Sequence, residues 1–333
     1  MTTVALTKPI KADAARPGPV ENGERRFVGQ DRARTSYFTL GPRAASDTIL
    51  LIHGAGMSAR SWTSQLRGLT PELRVVAIDL PGHGESDPSP DATLESYTDA
   101  ASRLIDALGV GPVFVAGHSL GGGVALALAA QRPDLVKGLI LISSCAKLPD
   151  NNNAMEALLG YLPQPLRKFL FFSAAKRTLF ALNASKRAIQ VGLKDLRSCP
   201  PEAIRSDLAV AKAMDLEDVA RNLRLPTLIL CGTADVLTPV ASSQRLADLI
   251  PGARIHLVEG AGHMLPLESP EPVDREILAF VESVVGKPAR PAMASGPETK
   301  PARPAMEGGP ETKPAIVRRL IDKAIAFWRS RVG

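Results

Sequence analysis

The stretch VFVAGHSLGGGVALALAA, residues 113–130, decides the fold. Val113–Ala116 is apolar without polar alternation, the pattern of a strand covered on both faces. Gly122–Ala130 is rich in Ala and Leu and reads as a helix, despite Gly122 and Gly123 in its first turn. Gly117-His-Ser-Leu-Gly121 must turn the chain from one to the other. Gly117 and Gly121 leave no Cβ on either side of the turn, and Ser119 sits between them. A G-x-S-x-G turn in this setting holds its serine in a strained backbone state with the hydroxyl above the sheet edge. The helix start supplies free N–H groups and a positive dipole end, so the Leu120 N–H is expected to donate to an oxyanion. The alternative is a glycine-rich turn with a bystander serine.

The same grammar extends both ways along the chain. Thr48–Ile52 is a short buried strand stopped by His53-Gly54-Ala55-Gly56, and Val75–Ile78 is another, stopped by Asp79-Leu-Pro-Gly-His-Gly84. Residues 93–108 carry a helical pattern. Gly138–Ile142, Thr227–Leu230 and Arg254–Val258 complete the strands. Apolar runs alternating with helical segments predict an α/β protein, with a mostly parallel central sheet and helices on both faces. Residues 147–223 interrupt the alternation with helical patterns at 154–161 and 165–182, broken by Pro163, Pro165, Pro200 and Pro201. They read as a helical cap inserted between two halves of the core, 26–146 and 224–286. Residues 1–25 read as a flexible N-terminal segment.

A serine hydroxyl needs a base, and the base needs an acid to orient it. The five histidines are His53, His83, His118, His256 and His263. His263 lies in Glu259-Gly-Ala-Gly-His-Met264, just past the last strand and at the same sheet edge as Ser119. His256 reads as an ordinary strand residue. His53 and His83 lie at tight glycine turns and suit hydrogen bonding within loops. The His118 side chain should point away from that of Ser119. For the acid, Asp235 follows a strand in Cys231-Gly-Thr-Ala-Asp235, and the order Ser119, Asp235, His263 is the one this arrangement requires. Asp79 precedes the serine and reads as a loop-organising carboxylate. Asp207 and Asp215 lie in the insertion, where solvated helix faces are expected. The second oxyanion donor should come from the loop after the 48–52 strand, with Ala55 N–H the choice and His53 and Gly54 shaping the turn.

Together HGAG, GHSLGG, CGTAD and GAGHM resemble the α/β-hydrolase superfamily over about residues 26 to 285. The resemblance implies the α/β-hydrolase fold with a helical cap over the active site. Serine as nucleophile departs from the aspartate of the dehalogenase and epoxide-hydrolase branches. What remains is similar to carboxylesterases, lactonases, carbon–carbon bond hydrolases and cofactor-free haloperoxidase-like enzymes. The expected activity is therefore hydrolysis of a small-molecule carboxylic ester through an acyl-enzyme. A lactone or carbon–carbon bond substrate is the alternative, and a non-catalytic binding protein on the same fold is the second. No metal or nucleotide motif appears, so no cofactor is expected.

Bulk composition narrows the partners. Aromatic residues make up 4 %, too sparse for a base-stacking surface. Residues 287–333 hold ten Lys and Arg against four acids, so the whole formal charge of +6 lies there and residues 1–286 are neutral. Nucleic-acid binding by the globular part is not expected. Cys145, Cys199 and Cys231 form no metal or redox motif, and with no apolar signal segment they predict a cytoplasmic protein. PARPAMASGPETK (288–300) is repeated as PARPAMEGGPETK (301–313), so residues 287–314 read as a Pro/Ala-rich linker. Residues 315–333 then form an amphipathic basic helix. It is expected to dock on its own domain, to lie on an anionic membrane or lipid surface, or to fit a groove of a protein assembly. In the last case it resembles the encapsulation peptides of bacterial microcompartment cargo, whose target is the shell.

Overall fold

The protein was analysed as a computed structural model, which describes residues 24–30, 33–42, 45–89, 91–148 and 164–286. The expected flexible segment up to residue 23, the helical pattern at 154–161, the 287–314 linker and the 315–333 helix lie outside the described residues.

The sheet has eight strands: β1 (Glu24–Val28), β2 (Thr35–Leu40), β3 (Thr48–Ile52), β4 (Arg74–Ile78), β5 (Val113–His118), β6 (Val136–Ile142), β7 (Thr227–Gly232) and β8 (Arg254–Val258). Their spatial order is β1-β2-β4-β3-β5-β6-β7-β8. The β1–β2 and β2–β4 pairs are antiparallel, and every pair from β4 to β8 is parallel. Glu24 and Arg25, grouped by sequence with the loose N-terminus, therefore belong to the sheet. Arg25 explains why: its guanidinium reaches the buried Asp79 carboxylate at 2.9 Å and stacks over Phe38.

Successive strand residues face opposite ways, and both faces are buried. Leu50, Ile52, Val76, Ile78 and Val115 join one apolar cluster, and Ile49, Leu51, Val75, Ala77 and Phe114 join the other. Helices α2 (Leu94–Leu108) and α3 (Leu120–Gln131) cover the first face with α8 (Val240–Leu249). Helices α1 (Thr63–Gly68) and α10 (Pro270–Val285) cover the second. Helix α3 is buried from Leu120 to Ala129, so it has no polar face to present. Burying each of its Leu and Val side chains is worth roughly 1.5–3 kcal/mol.

Between β6 and β7 the chain forms α4 (Gln164–Leu179), α5 (Lys186–Ser198), α6 (Pro201–Ala213) and α7 (Glu217–Asn222), with no strand among the described residues. Ser185 caps α5 by accepting from the Ala188 N–H, and Pro201 opens α6 at a position where its missing N–H costs nothing. These helices meet the loops at the sheet edge through Met57, Phe180, Leu193, Leu196, Met264 and Leu267. The short α9 (Leu265–Glu268) follows β8.

Candidate active site

The parallel strands all point their C-terminal ends at one edge of the sheet, and the loops leaving β3, β4, β5, β7 and β8 meet there. At the end of β5 the chain turns into α3 through Ser119, whose φ of 54° and ψ of −120° lie in a region that side chains rarely occupy. Packing forces this state. A Cβ on Gly117 would lie 2.1 Å from the Gly121 carbonyl oxygen, and one on Gly121 would lie 2.4 Å from the carbonyls of Ile52 and His53. Three hydrogen bonds fix the Ser119 backbone: its N–H donates to Ile142 O at 2.9 Å, and its carbonyl accepts from Gly122 N–H at 2.9 Å and Ser144 Oγ at 2.8 Å. The Ser119 side chain does not cap the helix, so its hydroxyl is left for another partner.

That partner is His263. Its Nε2 lies 3.0 Å from Ser119 Oγ, and its Nδ1 lies 2.9 Å from Asp235 Oδ2. Ionised Asp235 can only accept, so Nδ1 carries the proton and Nε2 presents a lone pair to the serine hydroxyl. Asp235 also accepts from Leu237 N–H, Thr238 N–H and the Thr238 hydroxyl. Burial opposes its charge, but the bonds from His263 and Thr238 prevail and hold its pKa below the ordinary value. Thr238 is a contributor that the sequence reading did not identify. Its signal was available: a hydroxyl three residues after a buried acid, in a turn that folds back on it.

The His263 loop is secured from below and from the side. His118 Nε2–H donates to the His263 carbonyl at 2.8 Å, so the His118 ring turns away from Ser119 Oγ and packs beside the His263 ring. Burial beside His263 lowers the His118 pKa to about 3, and the ring is neutral. Glu268 Oε2 accepts from Gly262 N–H and from Ala181 N–H, and Met264 N–H donates to Leu179 O. The end of α4 is thereby tied to the residues flanking His263.

Leu120 N–H is the first donor of α3 and has no partner along the helix. The loop after β3 carries another N–H at this edge, that of Ala55. Gly54 O accepts from His53 Nδ1–H at 2.9 Å and from Met57 N–H at 3.2 Å. His53 Nε2 accepts from Leu80 N–H at 3.0 Å, so His53 is neutral; burial lowers its pKa to about 4. A trans peptide sets its C=O and N–H in opposite directions. With Gly54 O engaged on one side, Ala55 N–H faces the other, and it makes no hydrogen bond among the described residues.

The remaining titratable groups take other places. Asp79 accepts from Ala59 N–H, Glu85 N–H, Arg25 and the Ser36 hydroxyl, and so organises the loops after β3 and β4. His256 is partly exposed on β8, 3.5 Å from Glu276. Asp215 is exposed and paired with Lys147. Asp207 corrects the expectation of a solvated helix face. It is 1 % exposed and accepts from Gly56 N–H at 2.7 Å, His83 Nε2 at 2.9 Å and the Tyr97 hydroxyl at 2.6 Å. His83 Nδ1 faces Pro81 O at 3.1 Å. Both of its partners accept, so His83 carries both protons. Burial works against that charge, but the bond to Asp207, with a smaller contribution from the Cys199 side chain, outweighs it and pushes the pKa up to about 10. Among the described residues no three His, Cys, Asp or Glu side chains gather to hold a metal, and no helix is long and apolar enough to cross a membrane.

Known proteins share this fold. The family model described as the alpha/beta hydrolase family matches residues 49–276. A pimeloyl-acyl-carrier-protein methyl ester esterase from Neisseria meningitidis is 30 % identical over 75 % of this chain and 81 % of its own length. An (E)-2-((N-methylformamido)methylene)succinate hydrolase from Acinetobacter baylyi is 28 % identical over 74 % of this chain and 94 % of its own. Among solved structures, a thermophilic esterase from Thermogutta terrifontis superposes with a TM-score of 0.69 at 28 % identity, covering 79 % of this chain and 99 % of that one.

Proposed function

Since the chain belongs to the alpha/beta hydrolase family and is an enzyme of that hydrolytic kind, we propose that it cleaves a small-molecule carboxylic ester through an acyl-enzyme on Ser119. The observation that carries the reading is the chain of contacts from Ser119 Oγ to His263 Nε2 at 3.0 Å and from His263 Nδ1 to Asp235 Oδ2 at 2.9 Å. His263 takes the hydroxyl proton as Ser119 Oγ attacks the ester carbonyl carbon. Asp235 holds the ring in the required tautomer and stabilises the imidazolium. The N–H groups of Leu120 and Ala55 hold the carbonyl oxygen as it becomes an oxyanion. The alkoxide leaves with the proton from His263, forming the acyl-enzyme. Water, deprotonated by the same ring, then releases the acid and regenerates Ser119.

The ester assignment is supported by the esterases among the similar proteins. The test is hydrolysis of p-nitrophenyl esters from short to long acyl chains by the wild type and Ser119→Ala. Turnover that disappears in the variant is the expected result, and the chain-length optimum sizes the acyl pocket. Wild-type protein that turns over none of these esters defeats the ester assignment, and lactone and carbon–carbon substrates are then assayed in its place.

A further inference from the structure

The loop that carries Ala55 is held from the cap side by two buried carboxylates. Asp195 of α5 accepts from Ser58 N–H at 2.9 Å and from the Ser58 hydroxyl at 2.6 Å. Asp207 of α6 accepts from Gly56 N–H at 2.7 Å. The second contact is the more telling, because Gly56 N–H belongs to the peptide that follows Ala55. The peptide preceding Ala55 is fixed at its other end, through Gly54 O, by His53 Nδ1–H and Met57 N–H. Both planes that meet at the Ala55 Cα are therefore pinned, one by the core and one by the insertion. Gly56 itself has φ of +68°, so the turn is tight and a small rotation at Ala55 would redirect its N–H.

We propose that Asp207 is a positioning residue for the oxyanion hole: reaching down from α6, it holds Gly56 N–H and so aims the Ala55 N–H toward the space above Ser119. The inference rests on the acyl-transfer reading above. It assigns a role in the reaction to the insertion, and to a residue that touches neither substrate nor nucleophile. A carboxylate suits the position because three donors converge on it: Gly56 N–H and His83 Nε2–H on Oδ2, and the Tyr97 hydroxyl on Oδ1. With an amide here His83 has no counter-charge: neutral, with Nδ1–H on Pro81 O, it turns its Nε2 lone pair toward the amide and draws the NH2 to the side that Gly56 N–H also faces. Protonated His83 balances the charge and fixes the carboxylate from the core side.

The test uses the full chain and p-nitrophenyl acetate, with the competent serine counted by stoichiometric release of p-nitrophenol from a p-nitrophenyl phosphonate. Losing one oxyanion donor costs roughly a hundredfold or more, so a misaimed donor in Asp207→Asn should lower kcat per titrated serine at least about tenfold. KM should change by less than about threefold, because the oxyanion contact is made in the transition state. Tyr97→Phe removes a donor from Oδ1 and leaves the Gly56 contact in place; its kcat per titrated serine should stay within about twofold of wild type. A folded Asp207→Asn with wild-type kcat overturns the inference, and so does a Tyr97→Phe loss as large as that of Asp207→Asn. If Asp207→Asn does not fold, Asp207→Glu carries the test, since it keeps a charge for His83 while displacing the oxygen from Gly56 N–H. The same fall in kcat is expected, and wild-type turnover overturns the idea. Ser119→Ala separates the two levels. Retained turnover there defeats the acyl-transfer reading, whereas an inactive Ser119→Ala beside a fully active Asp207→Asn defeats the positioning role alone.

Discussion

Two buried Asp–His pairs stand at the same edge of this sheet, joined through opposite ring nitrogens, Nδ1 of His263 and Nε2 of His83. Asp235 and His263 meet at 2.9 Å, and so do Asp207 and His83. In the first pair the other ring nitrogen faces a serine hydroxyl, which can give up a proton. In the second it faces the Pro81 carbonyl, which can only accept. In the proposed reaction one histidine is the base, whereas the other is a cation up to about pH 10. A histidine beside an acid is therefore no catalytic signature by itself; the group on the far side of the ring decides its role.

The comparison is sharpened first by the largest expected effect. Ser119→Ala and His263→Ala should each lower kcat on p-nitrophenyl acetate by at least about a thousandfold, measured by initial rates at saturating ester. The matched amides come next. Asp235→Asn should cost about a thousandfold or more, because the wrong tautomer of His263 is then favoured. Asp207→Asn should cost nearer tenfold, and equal losses in the two would erase the distinction drawn here.

The cationic state of His83 carries its own signature. Its folded pKa of about 10 lies above the ordinary value of 6.5, so its contribution to stability is complete below pH 6.5 and is lost as pH rises through about 10. Denaturant titrations of the wild type should show unfolding free energy falling over that window, on the order of a few kcal/mol. His83→Gln should flatten the slope; an unchanged slope would mean that His83 is neutral. Asp274 of α10 provides the smallest effect. Burial raises its pKa to about 7, and one of its carboxylate oxygens has no partner among the described residues. Ionising it in the folded state is unfavourable, so wild-type stability should decline from about pH 4 to about pH 7. Asp274→Asn should lack that decline, which amounts to a few kcal/mol by pH 8, and a retained decline assigns it to another group.

How far the sequence could be read follows from the same contrast. The β5 turn, the Asp235 and His263 loops and the buried strands are local events. Their residues lie within a few positions of the glycines and apolar runs that define them, and the structure brings Ser119, Asp235 and His263 together. The antiparallel β1 and β2 are not legible in the sequence, because ERRFV and TSYFTL mix charged, polar and apolar residues, and β1 is an edge strand. Asp207 reads as solvated for a similar reason. Nothing near it in sequence tells that His83, 124 residues away, Tyr97 and Gly56 N–H will converge on it. Burial of a charge is a decision of tertiary structure, and only partners distant in sequence reveal it.

The backbone of Ser119 bears on how such a protein fails. Its conformation is costly, by about 1–3 kcal/mol, and survives only while the ends of β5, β6 and α3 clamp it. Loosening around Ile142 and Ser144 lets the turn relax without melting a helix or separating a strand. Under mild denaturant, catalytic competence should therefore decay ahead of far-ultraviolet ellipticity. As the proposed nucleophile, Ser119 doubles as a strain gauge, reporting the loss of native tightness while the secondary structure still reads as intact.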